Sequence, residues 1–182
     1  GFCLVGSEMC IRDSSETGNF NPNVRANVAY NPDSDLIPVT RSNGVLIVNS
    51  TPSSGTISGQ SSVMMLDGWT WEESTLLHPS ALNINWPSMF LNYDKDSKKK
   101  EKAQKDEYKE YLRNINLLIR NVRAYHHRQS AKERKAEHKQ RTDLRLESMI
   151  PFVIYKNPIH IRANDIRQIE AAINWADEQD LN

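Results

Sequence analysis

Apolar residues recur at spacings of three and four through Tyr108, Tyr111, Leu112, Ile115, Leu118, Ile119, Val122 and Tyr125, which marks one face of a helix. The pattern predicts one long helical region from Lys95 to about His138. Only its second half carries the stripe; Lys98–Lys105 is nearly all polar and is expected to project into water. Elsewhere the apolar runs are short. Val45–Val48, Val63–Leu66, Ala81–Trp86 and Ile159–Ala163 read as four strands, the first buried on both faces. Asp67-Gly68 closes the second strand and Pro87 the third.

Helices fill the intervals. Pro32 with Asp33 and Asp35 suits a first turn, and Leu36, Ile37 and Val39 continue it to a stop at Asn43-Gly44. Thr70 caps a short helix with Glu72-Glu73 in its first turn. Asp143 caps another through Met149. Asp165 begins a closing helix with Ile166, Ile169, Ala172, Ile173 and Ala176 on one face. The small residues of Ser50–Ser62 read as a loop. Strands alternating with helices predict an α/β fold with a parallel sheet.

Composition adds two points. At 38% hydrophobic and 25% charged residues, the chain has material for one core. No apolar run approaches the roughly 18–20 residues of a spanning helix, and no membrane partner is expected. Net charge is zero but segregated: Lys95–Arg141 holds 16 basic and 7 acidic residues, leaving 7 basic and 16 acidic for the rest. That basic segment mimics a nucleic-acid binder. Its interleaved acids, such as Glu101 with Lys105, and its lack of glycine and exposed aromatics favour a solvated face. No nucleic acid is expected.

Both cysteines, Cys3 and Cys10, lie in Gly1–Ser14, which has neither helical nor strand period and lacks the basic start of a signal peptide. This stretch resembles translated adapter sequence, and residues 1–14 are expected to pack against nothing. Residues 15–182 form the domain, with a long basic helix near 95–140. The remaining chain has no cysteine, so it offers no disulfide or thiolate chemistry.

Candidate chemistry is sparse. The histidines His78, His126, His127, His138 and His160 form no His-x-His, and the chain contains no complete metal site. Ser58, Gly59, Gln60 and Ser61 follow a strand in a Gly-rich stretch whose N–H groups could face a substrate oxygen. Arg162 and Asn164 stand where a strand hands over to a helix, the end at which α/β proteins build their sites. Arg162 is expected to anchor a carboxylate or oxyanion and Asn164 to orient the same group. The alternative is a salt bridge from Arg162 to Asp143 or Glu147 that only braces the fold.

Several motifs together resemble a known family. An Asn-Pro-rich stretch from Asn19 precedes Arg41-Ser42-Asn43-Gly44-Val45 and then Ser54-Gly55-Thr56-Ile57-Ser58-Gly59-Gln60-Ser61. Asn85-Trp86-Pro87, Asp143 with Leu146-Glu147, and Pro158 through Ile169 follow. This series is similar to the amidohydrolase superfamily, in particular its imidazolonepropionase-like metal-dependent hydrolases, over nearly all of residues 19–182.

The resemblance implies a partial (β/α)8 barrel of TIM type with parallel strands, truncated at both ends, since a full barrel takes about 250 residues. The family's His-x-His, later metal histidine and catalytic aspartate would fall outside these residues, so no catalytic residue is assigned within them. Ser58, Gly59, Gln60, Ser61, Arg162 and Asn164 are the expected substrate-binding residues. Arg162 stands where many relatives carry a histidine, and a guanidinium cannot ligate a metal.

The expected function is that of a fragment of a metal-dependent amidohydrolase acting on non-peptide C–N bonds, in a cyclic amide or similar small molecule. A divalent metal, zinc foremost, is expected in the full-length protein and none in this fragment, which alone is expected to be inactive. One alternative is a catalytically degenerate barrel that binds a ligand or partner; another is a nucleic-acid-binding helical protein. A homo-oligomer and either a cytoplasmic or an exported location remain open.

Overall fold

The computed structural model of the chain describes residues 18–89, 101–133 and 142–182. The opening Gly1–Ser14 and the Lys98–Lys100 part of the polar lead-in lie outside the described residues. A 3-10 turn at Asn27–Ala29 is followed by α1 (Leu36–Ser42), β1 (Ile47–Ser50), β2 (Ile57–Met65), α2 (Trp71–Ser74) and β3 (Thr75–Asn85). Then come α3 (Glu101–Glu133), α4 (Leu144–Val153), β4 (Ile159–Arg162) and α5 (Ile166–Glu178). The four strands form one curled, half-barrel sheet in the order β1-β2-β3-β4.

The expectation of parallel strands is corrected for most of the sheet. β1 pairs with β2, and β2 with β3, antiparallel; only β3 and β4 run parallel. The connections explain this. Residues 51–56 and 66–74 are too short for a crossover, which takes a dozen residues or more, whereas residues 86–158 hold two helices and return the chain in the same direction. Val45–Val48 is not doubly buried either: Val45, Leu46 and Ile47 are exposed on an edge strand that begins at Ile47.

Nearly half of the small-residue stretch expected as a loop, Ile57–Ser62, belongs to β2, and Ser50 ends β1. The edge of β2 is covered twice, by β1 over Ser62–Met65 and by residues 19–26 over Ile57–Gln60. The second contact is backbone to backbone: Asn21 N–H donates to Ile57 O, Gln60 N–H to Val24 O and Ala26 N–H to Gln60 O. Gly59 makes this approach sterically feasible. Its φ is +133°, and a Cβ there would lie 2.6 Å from Val24 O. Three register irregularities between β2 and β3 bend the sheet.

One core lies on the helix side of the sheet. Ile57, Leu82, Ile84 and Trp86 meet Ile115, Ile119, Val122 and Tyr125 of α3, together with residues of α4 and α5. The stripe in α3 is thus the face that meets the sheet and α4. In α5 the buried positions are Gln168, Ala172 and Trp175, while Ile166, Ile169 and Ile173 are exposed. The expected single apolar face of that helix is therefore split. Trp175 wins the core because its ring packs against Trp86, tilted by 58° with centroids 5.4 Å apart, and its Nε1 donates to Asn116 Oδ1. A second, smaller core joins Tyr30, Ile37, Met64 and Leu66. Among the described residues no helix is long and apolar enough to cross a membrane.

Replacing Ile115, fully buried, by Ala should cost about 2–5 kcal/mol in urea unfolding. The exposed Ile173→Ala should stay within about 0.5 kcal/mol. Equal losses at the two sites would contradict this division of the helix faces.

Candidate functional site

Alternation along the strands gives the sheet two unlike faces. Leu82, Ile84 and Trp86 enter the core, so Ala81, Asn83 and Asn85 point the other way; likewise Ile159 and Ile161 pack on the core while His160 and Arg162 turn away from it. The β3–β4 register sets Asn83 beside His160 and Asn85 beside Arg162. The face opposite the helices is therefore polar, and it ends where β3 and β4, running parallel, both finish.

Asn85 organises that end. The two N–H groups of its Nδ2 face Gly55 O (2.7 Å), Ser58 Oγ (3.0 Å) and Ser53 O (3.2 Å), one of them shared, which ties the segment before β2 to the end of β3. Its own carbonyl accepts from Tyr111 Oη at 2.7 Å. Burial, and then Tyr108, push the Tyr111 hydroxyl well above its ordinary pKa, so it stays a donor. Asn83 is buried and donates from Nδ2 to Gly59 O at 3.2 Å.

Gln168 holds the β4 side. Its Oε1 accepts from the N–H groups of Asn164 (2.8 Å) and Asp165 (3.1 Å), and its Nε2 donates to Pro87 O at 2.9 Å. One buried amide thus joins the turn after β4 to the segment after β3.

The expected site residues divide by depth. Ser58 lies at the same end of the sheet as Arg162, bridged to it through Asn85. Gly59 is occupied by its contact with residues 19–26. Gln60 points to the helix side, donating to Ser148 O at 3.1 Å. Ser61 pairs with Ala81, farther down β3, and accepts from Ser80 Oγ at 2.8 Å. Arg162 and Asn164 are exposed. Among the described residues no carboxylate pairs with Arg162. Asp143 instead caps α4 through the N–H groups of Arg145 and Leu146, and Asp165 pairs with Arg167 at 3.1 Å. The bracing salt bridge to Asp143 or Glu147 is not formed.

Asn83, Asn85, His160 and Gln168 were not singled out as site residues by sequence reasoning. The alternation Asn83-Ile84-Asn85 was a usable signal, since two amides on one side of an apolar strand need a polar surface. Gln168 carried none, because its role depends on Pro87, far away in sequence.

A second polar group sits lower on the sheet. Ser62 Oγ and His78 Nδ1 are 2.7 Å apart, with Ser62 fully buried. Burial, and then the Arg25 guanidinium, lower the His78 pKa, partly opposed by a hydrogen bond with the Ser61 backbone. The imidazole is neutral near pH 7, yet the buried serine is closed to substrate. A surface cleft of about 280 Å³ lined by Tyr30, Pro32, Asp35, Ile37, Arg41 and Asp67 lies by the smaller core, away from Arg162.

The described residues do not fit a metal centre. Among the described residues no three of His, Cys, Asp or Glu come together. On the polar face near Arg162 the candidate ligand is His160, and the neighbouring guanidinium has no lone pair to offer.

No protein-family model matches the chain, and no curated protein matches it. In structure it is similar to the crystal structure of an amidohydrolase from Thermotoga maritima MSB8, with a TM-score of 0.75 and 22% sequence identity. The match covers 93% of this chain and 43% of that one, so the chain spans less than half the length of this neighbour. The likeness is one of fold. It supports a half-barrel resembling part of that neighbour's fold.

Gly59→Ala should lower stability by about 1–3 kcal/mol, from backbone strain at a positive φ and the clash with Val24; a neutral result in urea unfolding would mean the strand shifts freely. Acid should reveal His78. An unfolded histidine takes up its proton near 6.5 and the folded one only at lower pH, so this contribution to stability is present above 6.5 and lost as pH falls below it. The drop in Tm between pH 7 and 5 should be smaller in His78→Gln than in the parent chain.

Proposed function

We propose that this chain forms part of an amidohydrolase-type barrel that hydrolyses a non-peptide C–N bond in a small molecule such as a cyclic amide. The observation that carries the reading is the polar sheet face ending at Asn85, Arg162 and Asn164, at the carboxyl ends of two parallel strands, where such folds place their ligands. The fold likeness to a protein named amidohydrolase supports it.

The roles proposed for this segment are binding and orientation. Asn85 and Gln168 fix the two turns that frame the site, Ser58 and Asn164 stand at its rim, and Arg162 supplies positive charge. Zinc or another divalent ion, if the whole protein uses one, takes most of its ligands from outside the described residues, because those described do not assemble a donor set. No step is assigned to it here. The second reading, a degenerate barrel that binds without turnover, is favoured by the arginine itself, which brings charge but neither nucleophile nor base.

The test is hydrolysis of a panel of cyclic amides by a longer protein carrying this segment, followed by product release. Turnover that is lost on Arg162→Ala by at least tenfold, about 1.4 kcal/mol, with little change in Tm, supports the hydrolase reading. Binding without turnover favours the degenerate barrel. The 182-residue chain alone should take up no stoichiometric zinc or manganese, measured by equilibrium dialysis, because a catalytic ion needs about three protein ligands. Stoichiometric uptake with turnover lost on chelation would overturn that assignment.

A further inference from the structure

We infer that the cleft beside the smaller core is a binding site for a primary ammonium group on a short alkyl chain, as in a small free amine or a lysine side chain. The inference is independent of the proposed hydrolysis. The cleft lies where β2 runs out into Leu66, Asp67 and Gly68. Ile57, at the other end of β2, pairs with Ile84, next to Asn85 and its partner Arg162. The cleft and the polar face around Arg162 are therefore at opposite ends of the sheet.

Three observations lead to the ligand. First, Tyr30 lines the cleft yet is only 4% exposed, held in the smaller core with Ile37, Met64 and Leu66. Its hydroxyl has no hydrogen-bond partner among the described residues and is not sealed from solvent. Buried polar groups are normally bonded. This one is left for a ligand, and its oxygen can accept an N–H.

Second, the cleft is negative. Asp33, Asp35 and Asp67 line it together with Arg41. Arg41 is paired with Asp67 at 3.2 Å, and among the described residues no cation pairs with Asp33 or Asp35. Two uncompensated carboxylates attract a cation and repel an anion.

Third, the carboxylates do not gather closely enough to hold a metal ion. They stand around apolar walls that include Ile37, Pro38 and Leu66. A cation with an apolar body suits such a lining: an ammonium brings three N–H donors, and its chain covers the walls. A volume of about 280 Å³ is at the small end of ligand pockets and suits a short chain.

The experiment is a titration of the 182-residue chain at low ionic strength, read by backbone amide chemical shifts. The probes are n-butylammonium chloride and Nα-acetyl-lysine methylamide, which presents the same group as a protein side chain does. Butyrate, n-butanol and calcium chloride are the comparison arms. The expected result is saturable shifts at Asp35, Asp67 and Gly68 with an ammonium compound, the tighter of the two identifying the source. Binding should be at least tenfold weaker for n-butanol and calcium, and absent for butyrate.

Tyr30→Phe, which keeps the ring in the core, should weaken probe binding at least threefold. Asp33→Asn combined with Asp35→Asn should weaken it at least tenfold, and Arg41→Gln, which frees Asp67, should tighten it. Unchanged circular dichroism and Tm would show that the fold is retained. Absence of saturable shifts, butyrate or calcium binding as tightly as the probes, or binding unchanged in the double asparagine variant would each overturn the inference. So would weaker binding in Arg41→Gln, which would make the arginine the anchor of an anion. The hydrolase reading fails separately, through absence of turnover in the longer protein, whether or not this cleft binds.

Discussion

The step from Asn85 to Trp86 is where most of the molecule is held together. The Asn85 N–H donates to Thr56 O, its carbonyl accepts from Tyr111, and its side chain binds the approach to β2. The next residue donates from its N–H to Arg162 O and sets its indole against Tyr111 and Trp175. Two consecutive residues therefore tie β2, β4, α3 and α5 to the end of β3. Each link is buried or half-buried, where an unmade hydrogen bond costs about 1–3 kcal/mol. The geometry of the candidate site follows from these links, since Ser58, Asn85 and Arg162 are all fixed by them.

That arrangement explains which elements were legible in the sequence. The helices were, because their apolar stripes or caps are local: Ile115, Ile119 and Val122 recur at helical spacing, and Asp143 caps α4 as its position suggests. Strand direction was not legible from apolar runs. Leu82 and Ile84 are buried by helices and Asn83 by its partner strand, so a nearly continuous buried run arises without a doubly covered parallel sheet. Connection length was the better guide, because residues 66–74 are too few for a crossover.

The β2 segment shows a different limit. Serines and glycines look like a loop because they lack apolar mass and favour turns. Here they are buried because residues 19–26 press their backbone directly onto Ile57–Gln60, leaving no room for a side chain at Gly59. No local pattern encodes that close approach. The candidate site was legible at its two ends, Ser58 and Arg162, but not in the middle, where Asn85 and Gln168 act on residues distant in sequence. α5 illustrates the same point: Ile166, Ile169 and Ile173 have the right spacing for a core face, yet the packed face goes to Ala172 and Trp175, whose indole has partners in both Trp86 and Asn116.

What the polar face can contribute chemically follows from how its groups are used. Breaking a C–N bond needs an activated nucleophile, a proton donor for the leaving nitrogen and a stabiliser for the developing oxyanion. Of the hydroxyls described on this sheet, Ser61 and Ser62 are fully buried and bonded to their neighbours, so neither can meet a substrate. The amides of Asn83 and Asn85 are committed through their N–H groups to the backbone. Arg162 is left to attract and orient an anion, with His160 beside it. On the proposed reading this segment therefore supplies orientation and one exposed positive charge, while the nucleophile and the proton donor come from other parts of the barrel.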